Sequence, residues 1–280
     1  MVEKGPNGHK GLGYGKKPTC EPSGAKHIRP WGQASFEAVR AEDLTLDLTV
    51  LIPVCDEEEN IAPLLEELIP VLETLRKTYE VIFVDDGSTD GTYVRLGEFQ
   101  ARHRQIRLIK FTRNFGKTAA LVAGWEEARG KIIVIMDGDL QNDPHDIPAM
   151  IGQIPPYDLV CGYRVRRQDS WFRRLQSRIA NRFRDWVIQD GIRDSGCAFQ
   201  ALRHEALHTQ KFYLGLHRFI PALFQFEGYR VTQVPVNHRP RLHGRAKYGL
   251  RNRILRAFDD LMAVRWLRSR RIKYRIEEKR

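Results

Sequence analysis

The chain has 280 residues, 42% of them hydrophobic and 29% charged, with 46 Lys and Arg against 35 Asp and Glu for a formal charge of +11. That composition can bury a sizeable core and excludes wholesale disorder. No apolar run approaches the roughly 20 residues of a membrane span, which excludes an integral bundle, and the excess positive charge implies an anionic partner: nucleic acid, a membrane surface or a phosphorylated substrate.

Residues 1 to 46 are rich in Gly, Pro and Lys without apolar periodicity and read as a flexible extension. Leu48–Val54 reads as a strand closed by Pro53 and an acidic cluster. Asn60–Lys77 predicts a helix with Leu64, Leu65, Leu68, Val71, Leu72 and Leu75 on one side; Pro63 suits its first turn and Pro70 suits a kink. Val81–Val84 is a strand, and Asp90 can cap the helix after it. Ile106–Phe111, Lys131–Met136 and Asp158–Cys161 are further strands, with a helix over Lys117–Arg129. Short apolar runs alternating with helical patterns indicate an α/β fold with a largely parallel sheet, whose ligands gather at the carboxyl ends of the strands.

Beyond Cys161 the pattern changes. Trp171–Ile188 predicts a long helix with the stripe Leu175, Ile179, Phe183 and Trp186/Val187, among Arg173, Arg174, Arg178, Arg182 and Arg184. Cys197–Leu202 suits a strand, His217–Phe226 a helix and Tyr229–Val236 a strand. His238–Gly249 is a basic loop, and Arg251–Arg270 is an amphipathic helix with Ile254, Leu255, Phe258, Leu261 and Met262 on one side and Trp266, Arg268, Arg270 and Arg271 near its end. An apolar stripe beside cations is the pattern of a helix lying on an anionic membrane; packing on the sheet or on a partner chain is the plainer use. The four cysteines, Cys20, Cys55, Cys161 and Cys197, form no C-x-x-C pair, and the N-terminus lacks the apolar core of a signal peptide, so a reduced, cytoplasmic chain is expected.

Three acidic groups each follow a strand. Asp137-Gly138-Asp139-Leu140-Gln141 delivers two carboxylates to one strand end, where a divalent cation with hard oxygen ligands would bind. Asp85-Asp86-Gly87-Ser88-Thr89-Asp90 suits hydrogen bonds to a base or ribose, and Pro53-Val54-Cys55-Asp56-Glu57-Glu58-Glu59-Asn60 opens a helix. Taken singly, each also fits an Asp-Gly turn, an N-cap or an acidic helix start.

Together they resemble the nucleotide-sugar-binding half of inverting family 2 glycosyltransferases, from about Leu48 to about Trp266. The likeness is to the polyprenyl-phosphate branch, which includes dolichol-phosphate mannosyltransferases and undecaprenyl-phosphate glucosyltransferases. Arg113-Asn114-Phe115-Gly116-Lys117, Asp194-Ser195-Gly196-Cys197-Ala198-Phe199, His217-Arg218-Phe219-Ile220-Pro221-Ala222 and Arg239-Pro240-Arg241 followed by Gly244-Arg245-Ala246-Lys247-Tyr248 carry it further. The resemblance implies a GT-A fold: a mixed, mostly parallel sheet flanked by helices over residues 47–236. The basic loop and membrane-associating helix would occupy 237–280. It implies Pro53, Asp56 and Glu57 at base and ribose, Asp86 against the base, and Asp137, Asp139 and Gln141 with the sugar-nucleotide and Mg²⁺ or Mn²⁺. Asp194 would act in transfer, and Arg239 and Lys247 would hold donor or acceptor phosphate. Asp56 replaces the family's usual Asn, and Ala246 its usual Ser before the Lys.

The implied function is inverting transfer of a hexose from a UDP- or GDP-linked nucleotide-sugar donor to a polyprenyl-phosphate acceptor. The enzyme would sit as a peripheral protein on the cytoplasmic face of an anionic membrane surface, with room for a homo-oligomer. Relatives often carry transmembrane helices after the catalytic part; none follows here before Arg280, so peripheral binding and truncation both stand. A family 2 enzyme with a soluble or protein-bound acceptor is the nearest alternative. A basic nucleic-acid-binding α/β protein is the alternative of another class; the acidic groups would repel nucleic acid, and none is expected as a partner.

Overall fold

The computed structural model describes residues 44–165, 182–207, 209–210, 213–240 and 250–271. In chain order these form β1 (Leu46–Val54), α1 (Glu58–Thr74), β2 (Tyr79–Asp85), α2 (Thr92–Arg102), β3 (Ile106–Lys110), α3 (Lys117–Glu127) and β4 (Gly130–Ile135). A 3-10 turn (Pro144–Asp146) leads into α4 (Ile147–Ile151), then β5 (Leu159–Arg164) and helical residues 182–188, here α5. The chain continues through β6 (Gln200–Arg203), a 3-10 turn (Leu216–Phe219) running into α6 (Ile220–Phe226), β7 (Val231–Val236) and α7 (Leu250–Ser269).

The strands form one seven-stranded sheet in the order β3-β2-β1-β4-β6-β5-β7. β6 runs antiparallel to both its neighbours, and the other pairings are parallel. The carboxyl ends of β1, β2, β4, β5 and β7 therefore share one edge. Alternation along each strand divides the apolar residues between two faces. On β1, Leu48, Val50, Ile52 and Val54 join α1, α2 and α4 in one core. Leu51 packs with Ile82, Ile133, Ile135 and the helices α3 and α6 in the other.

Several boundaries differ from the sequence reading for local reasons. α1 runs through both Pro63 and Pro70 and stops at Thr74, before Lys77, because Arg76 adopts a left-handed backbone (φ 52°). The carboxylate of Asp90 accepts the Thr92 amide at 3.0 Å, although Gly91 holds the N-cap position of α2. β5 continues past Cys161 to Arg164, while β6 begins only at Gln200, because residues 194–197 form a turn closed by Cys197 N–H to the Asp194 carbonyl.

Pro53 sits in a central strand without breaking it. Leu51 O accepts Met136 N–H from the β4 side. Two residues on, Pro53 turns its donor-less nitrogen to that side, beyond the last β1–β4 pair (Leu51 with Ile135), and still registers with Val84 of β2. The sheet begins to part there, between the carboxyl ends of β1 and β4.

A third core joins α5, α6 and α7 through Val187, Ile188, Phe219, Ala222, Leu223, Leu261 and Val264. The two predicted membrane stripes are therefore divided. Val187 and Leu261 point inward, while Phe183, Trp186, Phe258 and Trp266 are 45%, 71%, 50% and 59% exposed. Arg184, expected among the flanking cations, is instead buried against Asp190. Arg268 clasps the end of α5 through the Ile188 carbonyl and Gln189 Oε1. Leu175, Ile179, Arg173, Arg174 and Arg178, together with residues 1–43 of the predicted extension, lie outside the described residues, as do the side chains of Ile254 and Leu255. Among the described residues no helix is long and apolar enough to cross a membrane.

Candidate active site

The loops after β1 and β2 hold each other. Asp56 takes a left-handed backbone (φ 47°), a conformation Asp tolerates as Asn does. Its N–H donates to Ser88 Oγ at 2.9 Å, and its Oδ1 accepts Thr89 N–H at 2.7 Å. Glu57 N–H donates to Thr92 Oγ1 at 2.8 Å, and its Oε2 accepts Asn60 Nδ2–H at 2.6 Å. Glu58 Oε2 accepts Gly91 N–H. The acidic helix start thus serves as a brace between two loops.

Asp85 and Asp86 are both buried at the end of β2. Asp85 Oδ1 accepts Ser88 N–H at 2.8 Å. Asp86 accepts the amides of Phe115 (2.7 Å) and Gly116 (2.9 Å), which fixes the chain entering α3. Burial raises the Asp86 carboxyl above its ordinary range; these amides oppose the shift and neighbouring Asp85 adds to it. Gly87 (φ 73°) allows this approach, since a Cβ there would lie 2.3 Å from the Arg113 carbonyl carbon.

The turn after β4 carries Asp137 and Asp139. A Cβ on Gly138 would sit 2.7 Å from Val54 Cγ1, so the turn rests directly on the end of β1. Leu140 is left-handed (φ 63°), and Asp139, buried, accepts Gln141 N–H at 3.2 Å. Asp137 N–H donates to Asn142 Oδ1, and its carboxylate pairs with Lys117 at the start of α3. The turn thus carries two carboxylates at one strand end, the kind of hard oxygen group a divalent cation takes. Among the described residues Glu67, Asp143 and His145 also gather ligand atoms within 4.8 Å of one another, with Arg239 paired to two of them as Lys117 is paired to Asp137.

Arg239, expected at donor or acceptor phosphate, is engaged by carboxylates of the chain itself. Its guanidinium forks onto Glu67 of α1 at 2.7 Å through both carboxylate oxygens and reaches Asp143 at 2.9 Å. The Glu67 bonds, with the charge of Asp143, push its pKa up against the cost of burial. Around it, residues 237–239 are strapped to 141–146. Asn142 bridges His238, Arg239 N–H donates to the Gln141 carbonyl at 3.1 Å, and Asn237 N–H donates to Asp146 Oδ2 at 2.7 Å. Gln141 Nε2 reaches back to the Arg239 carbonyl at 3.5 Å. Lys247, with Gly244 and Ala246, lies outside the described residues.

Asp194 is buried and paired with Arg164, a residue not singled out from sequence. Arg164 Nε donates to Oδ2 at 2.7 Å and Nη2 to Oδ1 at 2.9 Å. Arg203, by contrast, joins Asp158 and Glu205. Extending the strand of Asp158–Cys161 through Gly162 and Tyr163 would have exposed the signal, because it brings a cation to the same sheet edge. Burial pushes the Cys197 thiol up to about 11; the charges of Asp194 and Asp137 add to this, against the Phe199 amide and Arg164. His217 closes the other side. Its Nδ1 meets Thr118 Oγ1 at 2.7 Å, and that hydroxyl accepts Gly215 N–H. Burial, then Lys117 and Arg218, lower its pKa to about 3, against the pull of Asp137. The sheet edge thus gathers Asp137, Asp139, Lys117, His217, Asp194 and Arg164.

The family model of glycosyl transferase family 2 matches residues 49–210, more than half of the chain. The chain belongs to glycosyl transferase family 2. It is 36% identical over 241 residues to dodecaprenyl-phosphate galacturonate synthase of Rhizobium johnstonii, covering 83% of this chain and 71% of that protein. It is 34% identical over 214 residues to undecaprenyl-phosphate 4-deoxy-4-formamido-L-arabinose transferase of Edwardsiella ictaluri, covering 76% and 66% respectively. Among solved structures it is similar to Mycobacterium tuberculosis glucosyl-3-phosphoglycerate synthase in complex with Mn²⁺, UDP-glucose and phosphoglyceric acid, with a TM-score of 0.61 at 18% identity over 86% of this chain and 85% of that one. The same protein with Mg²⁺ and UDP gives a TM-score of 0.60 at 19% identity, over 87% and 85%. The fold is the GT-A fold anticipated from the family 2 motifs.

Two expected outcomes follow from these contacts. Because His217 is held neutral when folded and titrates near 6.5 when unfolded, the unfolded chain binds more protons between those values. Its contribution to stability is complete above pH 6.5 and falls as pH drops towards about 3. Urea unfolding at pH 5.0 and 7.0 will show a smaller difference for His217→Gln than for the unsubstituted chain. Glu67→Gln, which weakens the fork on Arg239 without touching Arg239 itself, will reduce turnover as Arg239→Met does. If Glu67→Gln is silent while Arg239→Met is inactive, the guanidinium acts on substrate rather than on the strap.

Proposed function

We propose that the chain transfers a sugar, with inversion, from a UDP- or GDP-linked donor to a polyprenyl phosphate at a membrane surface. What supports the reading most is that the Asp137/Asp139 turn, with Lys117, and the Arg164–Asp194 pair stand at the carboxyl ends of β4 and β5 of one sheet. The 36% identity to a dodecaprenyl-phosphate enzyme favours the lipid acceptor over a soluble one.

In this reading an acceptor phosphate oxygen forms a bond to the anomeric carbon. The bond from that carbon to the donor's β-phosphate breaks, and the nucleoside diphosphate leaves with the electron pair. The phosphate nucleophile is already anionic, so no strong general base is required. Asp137, Asp139 and Gln141 would hold Mg²⁺ or Mn²⁺. When bound, that ion supplies Lewis-acid neutralisation of the leaving diphosphate. Lys117 and the amino end of α3 add positive potential beside the Asp137 turn. Pro53, Asp56, Glu57 and Asp86 line the loops assigned to base and ribose. Asp194 orients Arg164 towards phosphate, and Lys247 supplies a further cation. Arg239 serves through the strap on Gln141. The exposed Phe183, Trp186, Phe258 and Trp266 rest on the anionic, cytoplasmic face of the membrane, where the acceptor headgroup resides.

A panel of labelled UDP- and GDP-sugars with undecaprenyl phosphate in vesicles tests the reading: label will pass into the organic phase with one donor in the presence of Mg²⁺ or Mn²⁺. Transfer to 3-phosphoglycerate in place of the lipid would favour a soluble acceptor. Asp139→Asn will stay folded, lose Mn²⁺ binding in the presence of UDP or GDP by calorimetry, and lose transfer by about 100-fold or more. Trp186→Ser combined with Trp266→Ser will abolish flotation with phosphatidylglycerol vesicles while leaving the melting temperature within a few degrees. Flotation that persists in this variant would place the contact elsewhere.

A further inference from the structure

The turn before Asp194 is more heavily tied than its length requires. It holds two left-handed residues, Gln189 (φ 56°) and Gly191 (φ 65°). Gly191 N–H donates to Asp185 Oδ1 at 2.9 Å. The Asp190 carbonyl accepts Gln225 Nε2–H from α6 at 2.9 Å, and the Gly191 carbonyl accepts Gln233 Nε2–H from β7 at 3.0 Å. Arg193 N–H returns to Gln233 Oε1 at 2.8 Å. At the centre lies Arg184 of α5, only 6% exposed. Its Nη1 and Nη2 fork onto the Asp190 carboxylate at 2.8 and 3.0 Å, and Nη2 also donates to the Ile192 carbonyl at 2.7 Å. Asp190 Oδ1 in turn accepts Ile192 N–H at 3.1 Å.

A buried ion pair is a poor source of net stability, since well-packed apolar residues of similar volume commonly do as well. What an apolar pair cannot do is hold the backbone of Ile192, two residues before Asp194. We infer that Arg184 is a positioning residue. Through Asp190 and Ile192 it sets the turn that presents Asp194, and hence the guanidinium of Arg164, to the transferring sugar and phosphate. The inference rests on the proposed part of Asp194 in transfer. Small displacements matter here: about 1 Å of misplacement at a reacting centre can cost on the order of 100-fold in rate.

The test uses the full chain and four variants: Arg184→Met combined with Asp190→Leu, Arg184→Lys, Asp194→Asn and, for assignment, Arg164→Lys. Transfer of labelled sugar to undecaprenyl phosphate gives kcat and donor KM, calorimetry gives UDP and GDP affinity, and NMR of the Arg164 Nε–H, assigned with Arg164→Lys, reports its bond to Asp194. The apolar double variant will fold, bind nucleotide and keep its donor KM, but lose kcat by about 10- to 100-fold with a shifted or broadened Arg164 resonance. Arg184→Lys, which keeps the charge but not the fork, will fall between; it carries the test alone if the double variant does not fold. A folded variant with unchanged kcat and an unchanged Arg164 resonance overturns the inference. If Asp194→Asn itself leaves kcat intact, the assigned part of Asp194 fails, and the Arg164 resonance alone then decides whether Arg184 sets the turn.

Discussion

Crowding of carboxylates at one sheet edge is the constraint on which the rest of the structure depends. Parallel strands β1, β2 and β4 end side by side, and each delivers acids to the same place. Left unmatched, such groups would resist burial and repel one another. The fold assigns them donors: Thr89 for Asp56, the Phe115 and Gly116 amides for Asp86, Lys117 for Asp137 and Arg164 for Asp194. These same contacts fix the loops, so the electrostatic solution and the shape of the site are one arrangement. A nucleotide-sugar and a cation entering there would meet acids already oriented.

Local pattern carried much of this, and pairing across the fold did not. The strands were legible because apolar runs of strand length sit between helical stretches, and the three acidic groups because each follows such a run directly. Arg164 was missed because a strand's last residues look like loop until a neighbour extends them; β7 supplies that neighbour by pairing through Arg164 with Val236. Glu67, onto which Arg239 forks, lies 172 residues away on α1. No spacing rule reaches that far, and a cation in a basic, proline-containing segment suggests an anion from outside as readily as one from within.

The late helices show the same limit in another form. Helical periodicity identifies an apolar stripe but not what covers it. On α7, Leu261 and Val264 meet α5 and α6, while Phe258 and Trp266 lie towards solvent. One broad stripe thus serves a core and a surface together. Arg184 marks the difference on α5: it reads as one more flanking cation, yet its fork faces inward to Asp190.

Register at the opposite edge of the sheet completes the argument. Glu80, near the start of β2 and almost fully buried, accepts Thr49 Oγ1–H at 2.8 Å, Arg107 Nη1–H at 2.9 Å and the Arg129 amide at 2.7 Å. Thr49 Oγ1 also accepts the Gly130 amide at 2.9 Å, which ties the first residue of β4 to β1. A slip of one residue would turn every side chain of a strand to the other face. It would also carry Asp137 away from Lys117 and lift Gly138 off Val54. A network with no chemistry of its own thus determines, a strand's length away, where the two carboxylates of the candidate cation site come to rest.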